Sequence, residues 1–144
     1  DDRHYMLGAV YKDEYDEDEV VGYVDIDMRP TPKELNTPPR PYASDLCVHP
    51  DWRRKGIARE LVQKCEETVL KYSKHEEMYI RVEETNDAAI QMYTDLGYSH
   101  KLHDYFGVKD NTMLMHKRLV VGGDDDIVVA DAEEDKCESL NDTA

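Results

Sequence analysis

The sequence predicts an α/β (α+β) domain with a mixed, mostly antiparallel sheet and flanking helices. Three observations predict it. Two apolar, β-rich runs open the chain as a hairpin. Two segments with helical periodicity follow, each led by a short strand-like run. Two more strand-like runs close the pattern, so the order reads β-β-β-α-β-α-β-β. At 144 residues the chain is long enough for one hydrophobic core.

The elements can be justified in turn. Residues 4–11 (H-Y-M-L-G-A-V-Y) are rich in aromatic and β-branched residues and read as a strand. The acidic run 13–19 reads as a solvated hairpin loop, and residues 20–28 as the returning strand. Residues 29–41 hold Pro30, Pro32, Pro38, Pro39 and Pro41. Proline lacks the amide donor and blocks helix, so this is an extended loop. It is read as a spacer, with cover for an acceptor groove as the alternative. A short strand over 42–48 then leads to a turn and a helix beginning near Ile57. In that helix Ile57, Ala58, Leu61, Val62, Cys65, Val69 and Tyr72 share one face. Met78, Ile80 and Val82 alternate with Tyr79, Arg81 and Glu83, as a strand requires. Asn86 is a good N-cap for the next helix and Gly97 a good stop. Ala89, Met92, Tyr93 and Leu96 give that helix its buried stripe. Residues 100–107 and 111–119 read as a closing strand pair around a turn at Lys109, Asp110 and Asn111. The domain is expected over residues 1–121. Residues 122–144 are acidic and almost free of aromatics, as in a disordered tail or one docking on a partner.

Composition narrows the functions. Hydrophobic residues make up 40% and charged residues 35%, and no apolar run approaches the roughly 18 residues of a membrane span. A formal net charge of −15 argues against a nucleic-acid binder and favours cationic partners. Cys47, Cys65 and Cys137 have no metal spacing and are odd in number, so reduced thiols in an intracellular compartment are expected. The six histidines include no H-E-x-x-H, and no metal site is expected. The first residue is Asp rather than Met, and no targeting segment is visible; one already removed would leave the same picture.

The chemistry concentrates at Arg53-Arg54-Lys55-Gly56-Ile57-Ala58, between strand and helix. The first amides of a helix lack intrahelical partners, and the macrodipole adds partial positive charge there. Gly56 and Ala58 let an anion approach the backbone, and Arg53 and Arg54 add bidentate donors. Neither G-x-x-x-x-G-K-[ST] nor G-x-G-x-x-G is present. The pattern R-x-x-G-x-A resembles the acyl-coenzyme A signature of the GNAT acetyltransferases, [QR]-x-x-G-x-[GA]. A second stretch, from Val82 through Asn86, Ala89 and Tyr93 to Gly97-Tyr98, resembles the family's V-x-x-x-N-x-x-A-x-x-x-Y-x-x-x-G-[FY]. The resemblance covers about residues 5–120. The family carries a further first strand and one or two helices before this core, so the domain reads as N-terminally incomplete and its acceptor groove as lacking a wall.

The resemblance implies acetyl transfer from acetyl-CoA to an amine. It implies cofactor contacts from Leu46, Cys47 and Val48 on a strand that splays from its neighbour. It implies a pyrophosphate on the amides of Arg54, Lys55, Gly56, Ile57 and Ala58, with Arg53 and Arg59 nearby, and an Asn86 contact to the cofactor arm. Tyr93 matches the tyrosine that touches the thioester sulfur and protonates the leaving thiolate; a phenol is a donor at neutral pH. The competing reading of Tyr93 is a core aromatic, and the spacing to Asn86 and Gly97 favours the donor. Cys47 itself is expected to be a small buried hydrophobe facing the core. The acceptor must be a neutral amine, which calls for a base or a desolvating site. The family's usual glutamate positions fall on Tyr42 and Arg81, so Asp45, Glu83, Glu84 and His103 stand as candidates acting through water. Tyr105-Phe106 resembles the tyrosine pair that lines the peptide groove of N-terminal acetyltransferases. The overall wording is most similar to the plastid and cyanobacterial branch, which implies protein α-amine or lysine acceptors and a chloroplast location, with the cytoplasm as the alternative. The competing functions are a non-catalytic GNAT-like subunit of a larger assembly and a polyamine acetyltransferase, the latter suited to the negative charge.

Overall fold

A computed structural model describes residues 3–32, 37–101 and 111–120. Eight regular elements occur there in the expected order: β1 (His4–Lys12), β2 (Asp18–Asp27), β3 (Tyr42–Val48), α1 (Ile57–Tyr72), β4 (Glu77–Glu83), α2 (Asp87–Asp95), β5 (Ser99–His100) and β6 (Thr112–Arg118). They form one sheet in the order β1-β2-β3-β4-β6-β5. All neighbours are antiparallel except β3 and β4, whose parallel pairing needs the crossover that α1 supplies. The sequence reading of a mixed, mostly antiparallel sheet with flanking helices describes this architecture. Of the expected strand over 100–107, residues 102–107 lie outside the described residues. So do His103, Tyr105, Phe106, Lys109, Asp110 and the tail 122–144.

Two irregularities set the side-chain faces. In β1–β2 the register slips between Ala9 and Val10. In β2–β3, Tyr23 faces Cys47 but Asp25 faces Ser44, so β3 spends one extra residue there. The extra residue sits at Asp45, which adopts a left-handed φ of 57°. Because side chains alternate with period two, one inserted residue swaps faces beyond it. Ala43 and Val48 therefore both reach the core despite opposite parity. The same swap corrects an expectation: Cys47 is exposed rather than a buried hydrophobe.

The core lies between the sheet and the helices. Ile57, Leu61, Cys65 and Val69 on α1 are fully buried against Ala9, Val24, Ile26 and Met78. Each fully buried Ile, Leu or Val side chain contributes about 2 kcal/mol relative to exposure. That seam fixes the start of α1 against the end of β3. Gly22 on β2 makes the close approach: a Cβ there would lie 3.0 Å from the Cys47 carbonyl oxygen and 3.1 Å from Ile57 Cγ2. The proline-rich loop is tied at its base. The Asp27 carboxylate accepts from Arg29 Nη2 at 2.7 Å and pairs with Arg40 Nη2 at 3.4 Å, joining the loop's two ends.

Gly22→Val is expected to cost about 1–3 kcal/mol, because backbone on one side and the first turn of α1 on the other leave no room. Chemical denaturation of both proteins measures the difference; equal midpoints would show that α1 yields freely.

Candidate active site

β3 and β4 pair only at Tyr42–Tyr79 and Ala43–Ile80. Beyond those pairs the strands part. The gap is a cleft of about 310 Å³. Ser44, Asp45 and Leu46 form one wall, Arg81, Val82 and Glu83 the other, and Val62 of α1 reaches in from the helix side. Asn86, Ala89 and Tyr93 line it from α2. The splay exposes strand-edge amides and carbonyls that have no ladder partner across the gap, a surface suited to an extended amide-bearing chain.

α1 starts at the far end of β3. A 3₁₀ turn, Pro50–Trp52, leads into it, capped by His49 Nδ1 accepting from the Asp51 amide at 3.1 Å. Arg54 and the N-cap Gly56 are both left-handed, with φ of 64° and 76°. Gly56 offers no side-chain acceptor, so the opening amides of α1 have no cap from that residue. Arg53 Nε donates to the Val48 carbonyl at 3.4 Å, which holds its guanidinium beside the end of β3. Lys55 Nζ lies 4.8 Å from the Trp52 ring centroid, and Trp52 packs on Tyr11 with centroids 4.7 Å apart. Val62 stands five residues beyond Ile57, so the uncapped amides are roughly 7 Å along the helix from the cleft.

The predicted residues thus fall into two adjoining groups. Leu46, Asn86 and Tyr93 share the cleft. Arg53, Arg54, Lys55, Gly56, Ile57, Ala58 and Arg59 form the turn and first helical residues beside it. Ile57 and Ala58 are fully buried, so the exposed groups of this turn are Arg53, Arg54, Lys55 and Arg59, with Gly56 half-buried. Val48 is buried, and Cys47 faces solvent outside the cleft wall. Asn86 Oδ1 accepts from the Ala89 amide at 3.1 Å, which commits the oxygen to capping α2 and leaves Nδ2 as the donor. Asp45 and Glu83 line the cleft, whereas Glu84 is not on its wall. The contribution of Val62, Ala43 and Ser44 was missed; the small residues directly after Tyr42 were the available signal. A larger cavity, about 720 Å³, lies at the opposite end of the sheet around Glu77, Tyr79 and His116. Of the motif residues only Gly97, at the stop of α2, reaches its wall.

Tyr93 is 5% exposed. Burial first, then the neighbouring Cys65 and Tyr42, push its phenol well above the usual tyrosine range. It therefore stays protonated, and a donor, through neutral pH. Burial likewise pushes the Cys65 thiol up, with Glu66 and Asp25 adding to the effect.

The family model for the acetyltransferase (GNAT) family matches residues 1–98. The chain belongs to that family. An acetyltransferase of Yersinia pestis (strain Pestoides F) is 34% identical over 76 residues, covering 53% of this chain and 47% of that protein. The chain spans about half the length of the curated relatives it matches. Among solved structures, the ribosomal-protein-S18-alanine N-acetyltransferase of Escherichia coli superposes with a TM-score of 0.57 at 17% identity, over 87% of this chain and 75% of that one. A putative acetyltransferase from Salmonella typhimurium, solved with its cofactor acetyl-CoA, gives 0.52 at 22% identity, over 76% and 64%. These structural likenesses establish the GNAT fold. Among the described residues, no helix is long and apolar enough to cross a membrane.

Of Cys47 and Cys65, only Cys47 should react with iodoacetamide in the native protein at pH 8, with Cys65 following on denaturation. Peptide mapping by mass spectrometry reads this out. Equal labelling of the two under native conditions would contradict the face swap at Asp45.

Proposed function

We propose that this protein is an acetyl-CoA-dependent N-acetyltransferase whose acceptors are protein α-amines or lysine side chains. One observation carries the reading: a strand splay walled by Leu46, Asn86 and Tyr93 opens beside a helix N-terminus that has no side-chain cap from Gly56. Acetyl-CoA, when bound, supplies the activated acyl group. The amides opening α1, with Arg53, Arg54, Lys55 and Arg59, would hold its phosphates. The edges of β3 and β4 and Asn86 Nδ2 would hold its amide-bearing arm. Tyr93 supplies the proton that the departing thiolate takes. Asp45 and Glu83, the carboxylates on the cleft wall, take the proton that the acceptor amine must lose, through water.

The Escherichia coli neighbour acts on the alanine of a ribosomal protein, which supports a peptide acceptor. Family membership supports a working enzyme over a purely structural subunit of a larger assembly, because a structural role makes no use of a buried phenol on an open cleft. The chloroplast location rests on the sequence wording alone.

Two experiments test this. Calorimetry with acetyl-CoA should show binding to the wild type and at least a tenfold loss in Gly56→Glu, which sets a carboxylate against the phosphates. A thermal melt of the variant controls for the left-handed strain, about 1–2 kcal/mol. Equal affinity in the two proteins sinks the phosphate assignment. For turnover on N-terminal peptides, Tyr93→Phe should lower kcat about 100-fold with little change in acetyl-CoA affinity. The wild-type rate should show no alkaline loss attributable to Tyr93 below pH 10, since its phenol is raised. A fully active Tyr93→Phe enzyme would remove the proton-donor role.

A further inference from the structure

We infer that Tyr98, clamped by the Lys117–Glu66 pair, is a positioning residue that fixes the ring of Tyr93 in the cleft. The inference rests on the acetyltransferase reading and adds the part that makes its proton donor stand still.

The geometry begins at the end of α2. Leu96 is the C-cap and Gly97 follows at φ 98°. The Gly97 amide donates to Thr94 O at 3.0 Å, and the Tyr98 amide to Tyr93 O at 2.9 Å. This is the paired hydrogen-bond pattern of a Schellman stop, in which the residue after the glycine turns back on the last helical turn. Here that residue meets the proposed donor itself. The rings of Tyr98 and Tyr93 are edge-to-face, with centroids 5.9 Å apart and planes at 67°. A ring pair in this arrangement has directional preference beyond simple burial. Tyr93 therefore receives its orientation from the element that ends its own helix.

Tyr98 is in turn held from outside. It is 2% exposed. The Lys117 ammonium of β6 lies 5.7 Å from its ring centroid. The same ammonium pairs with the Glu66 carboxylate of α1 through both oxygens, the longer contact being 3.2 Å. Gly97 leaves room for this arrangement, since a Cβ there would sit 3.4 Å from Lys117 Cε. So α1, β6 and the end of α2 converge on one aromatic ring, and its neighbour on the cleft side is Tyr93. The hydroxyl of Tyr98 is buried without a hydrogen-bond partner. The ring, not the hydroxyl, makes the contacts, so phenylalanine should serve equally well.

The test uses Tyr98→Phe, Tyr98→Leu and Tyr98→Met, each alone and combined with Tyr93→Phe. Tyr98→Phe should keep kcat within about twofold. Tyr98→Leu should lower kcat by tenfold or more, since a misplacement near 1 Å costs on that scale, while acetyl-CoA affinity by calorimetry changes less than threefold. In the Tyr93→Phe background the Tyr98→Leu loss should nearly vanish, because the two act through one group. Independent, multiplying losses would overturn the inference, as would an unchanged kcat in Tyr98→Leu. Tyr98→Met, which fills more of the space, replaces the leucine variant if that one fails to fold. A second readout needs no turnover: with ¹³C-labelled tyrosine, the Tyr93 ring should flip slowly in the wild type and Tyr98→Phe, and rapidly in the leucine or methionine variant. Unchanged flipping defeats the inference by itself. A wild type that binds no acetyl-CoA but shows this ring behaviour would fault the acetyltransferase reading and not the clamp.

Discussion

The structure depends on a parallel strand pairing that stops after two residue pairs. A full ladder between β3 and β4 would satisfy both edges and leave a closed sheet. Here the Asp45 bulge diverts β3 as α1 packs beneath, and the two edges separate. Peptide groups facing such a gap need partners from elsewhere. A linear ligand carrying its own amides meets that need in the way an added strand does. Leu46, Val82, Ala89 and Tyr93 add apolar patches to a cleft that also carries Ser44, Asp45, Arg81, Glu83 and Asn86. Binding surface and chemical environment thus have one origin, the early end of the β3–β4 ladder.

The two helices that flank the gap solve the same terminal problem in opposite ways. Both begin with orphan amides. α2 satisfies its own with Asn86 Oδ1. α1 begins at a left-handed glycine with no side-chain acceptor. The difference follows from residue type: asparagine carries a short acceptor that reaches the third amide, and glycine carries nothing. A glycine N-cap costs α1 only roughly a few tenths of a kcal/mol relative to a good cap. The buried seam of Ile57, Leu61, Cys65 and Val69 offsets it. A helix so anchored can leave its first turn to a ligand.

Much of this was legible in the sequence. Periodicity placed α1, β4 and α2, and their bounds follow from apolar spacing, the Asn86 cap and the Gly97 stop. The two motif stretches located the residues that the fold brings to one cleft and one turn. What was not legible depended on register. Cys47 is expected on the core face as a small hydrophobe, and strict alternation from the buried Ala43 would put it there. One extra residue at Asp45 reverses that parity, and although aspartate tolerates a left-handed conformation, its presence alone does not locate a bulge. The clamp on Tyr98 was hidden for another reason. Glu66 and Lys117 are 51 residues apart and lie on elements with no sequence relation. The G-Y ending of the second motif showed that an aromatic follows the helix stop, but not that it rests against Tyr93.

The charge distribution sharpens the functional argument. A chain with a net charge of −15 is a poor general host for a polyanion. The acidic hairpin loop even joins β1 and β2 at the end of the sheet where Tyr11 packs on Trp52, next to the turn that opens α1. Yet Arg53, Arg54, Lys55 and Arg59 fall within seven residues of that turn, out of 18 basic residues in the chain. At physiological salt, charges beyond about 8 Å are largely screened. An anion seated at the start of α1 would therefore feel mainly the nearby charges, with the guanidinium groups and the helix dipole favouring it and Asp51 and Glu60 opposing them. On the acetyltransferase reading proposed above, the remaining negative surface would attract a cationic amine while the turn before α1 takes the anion.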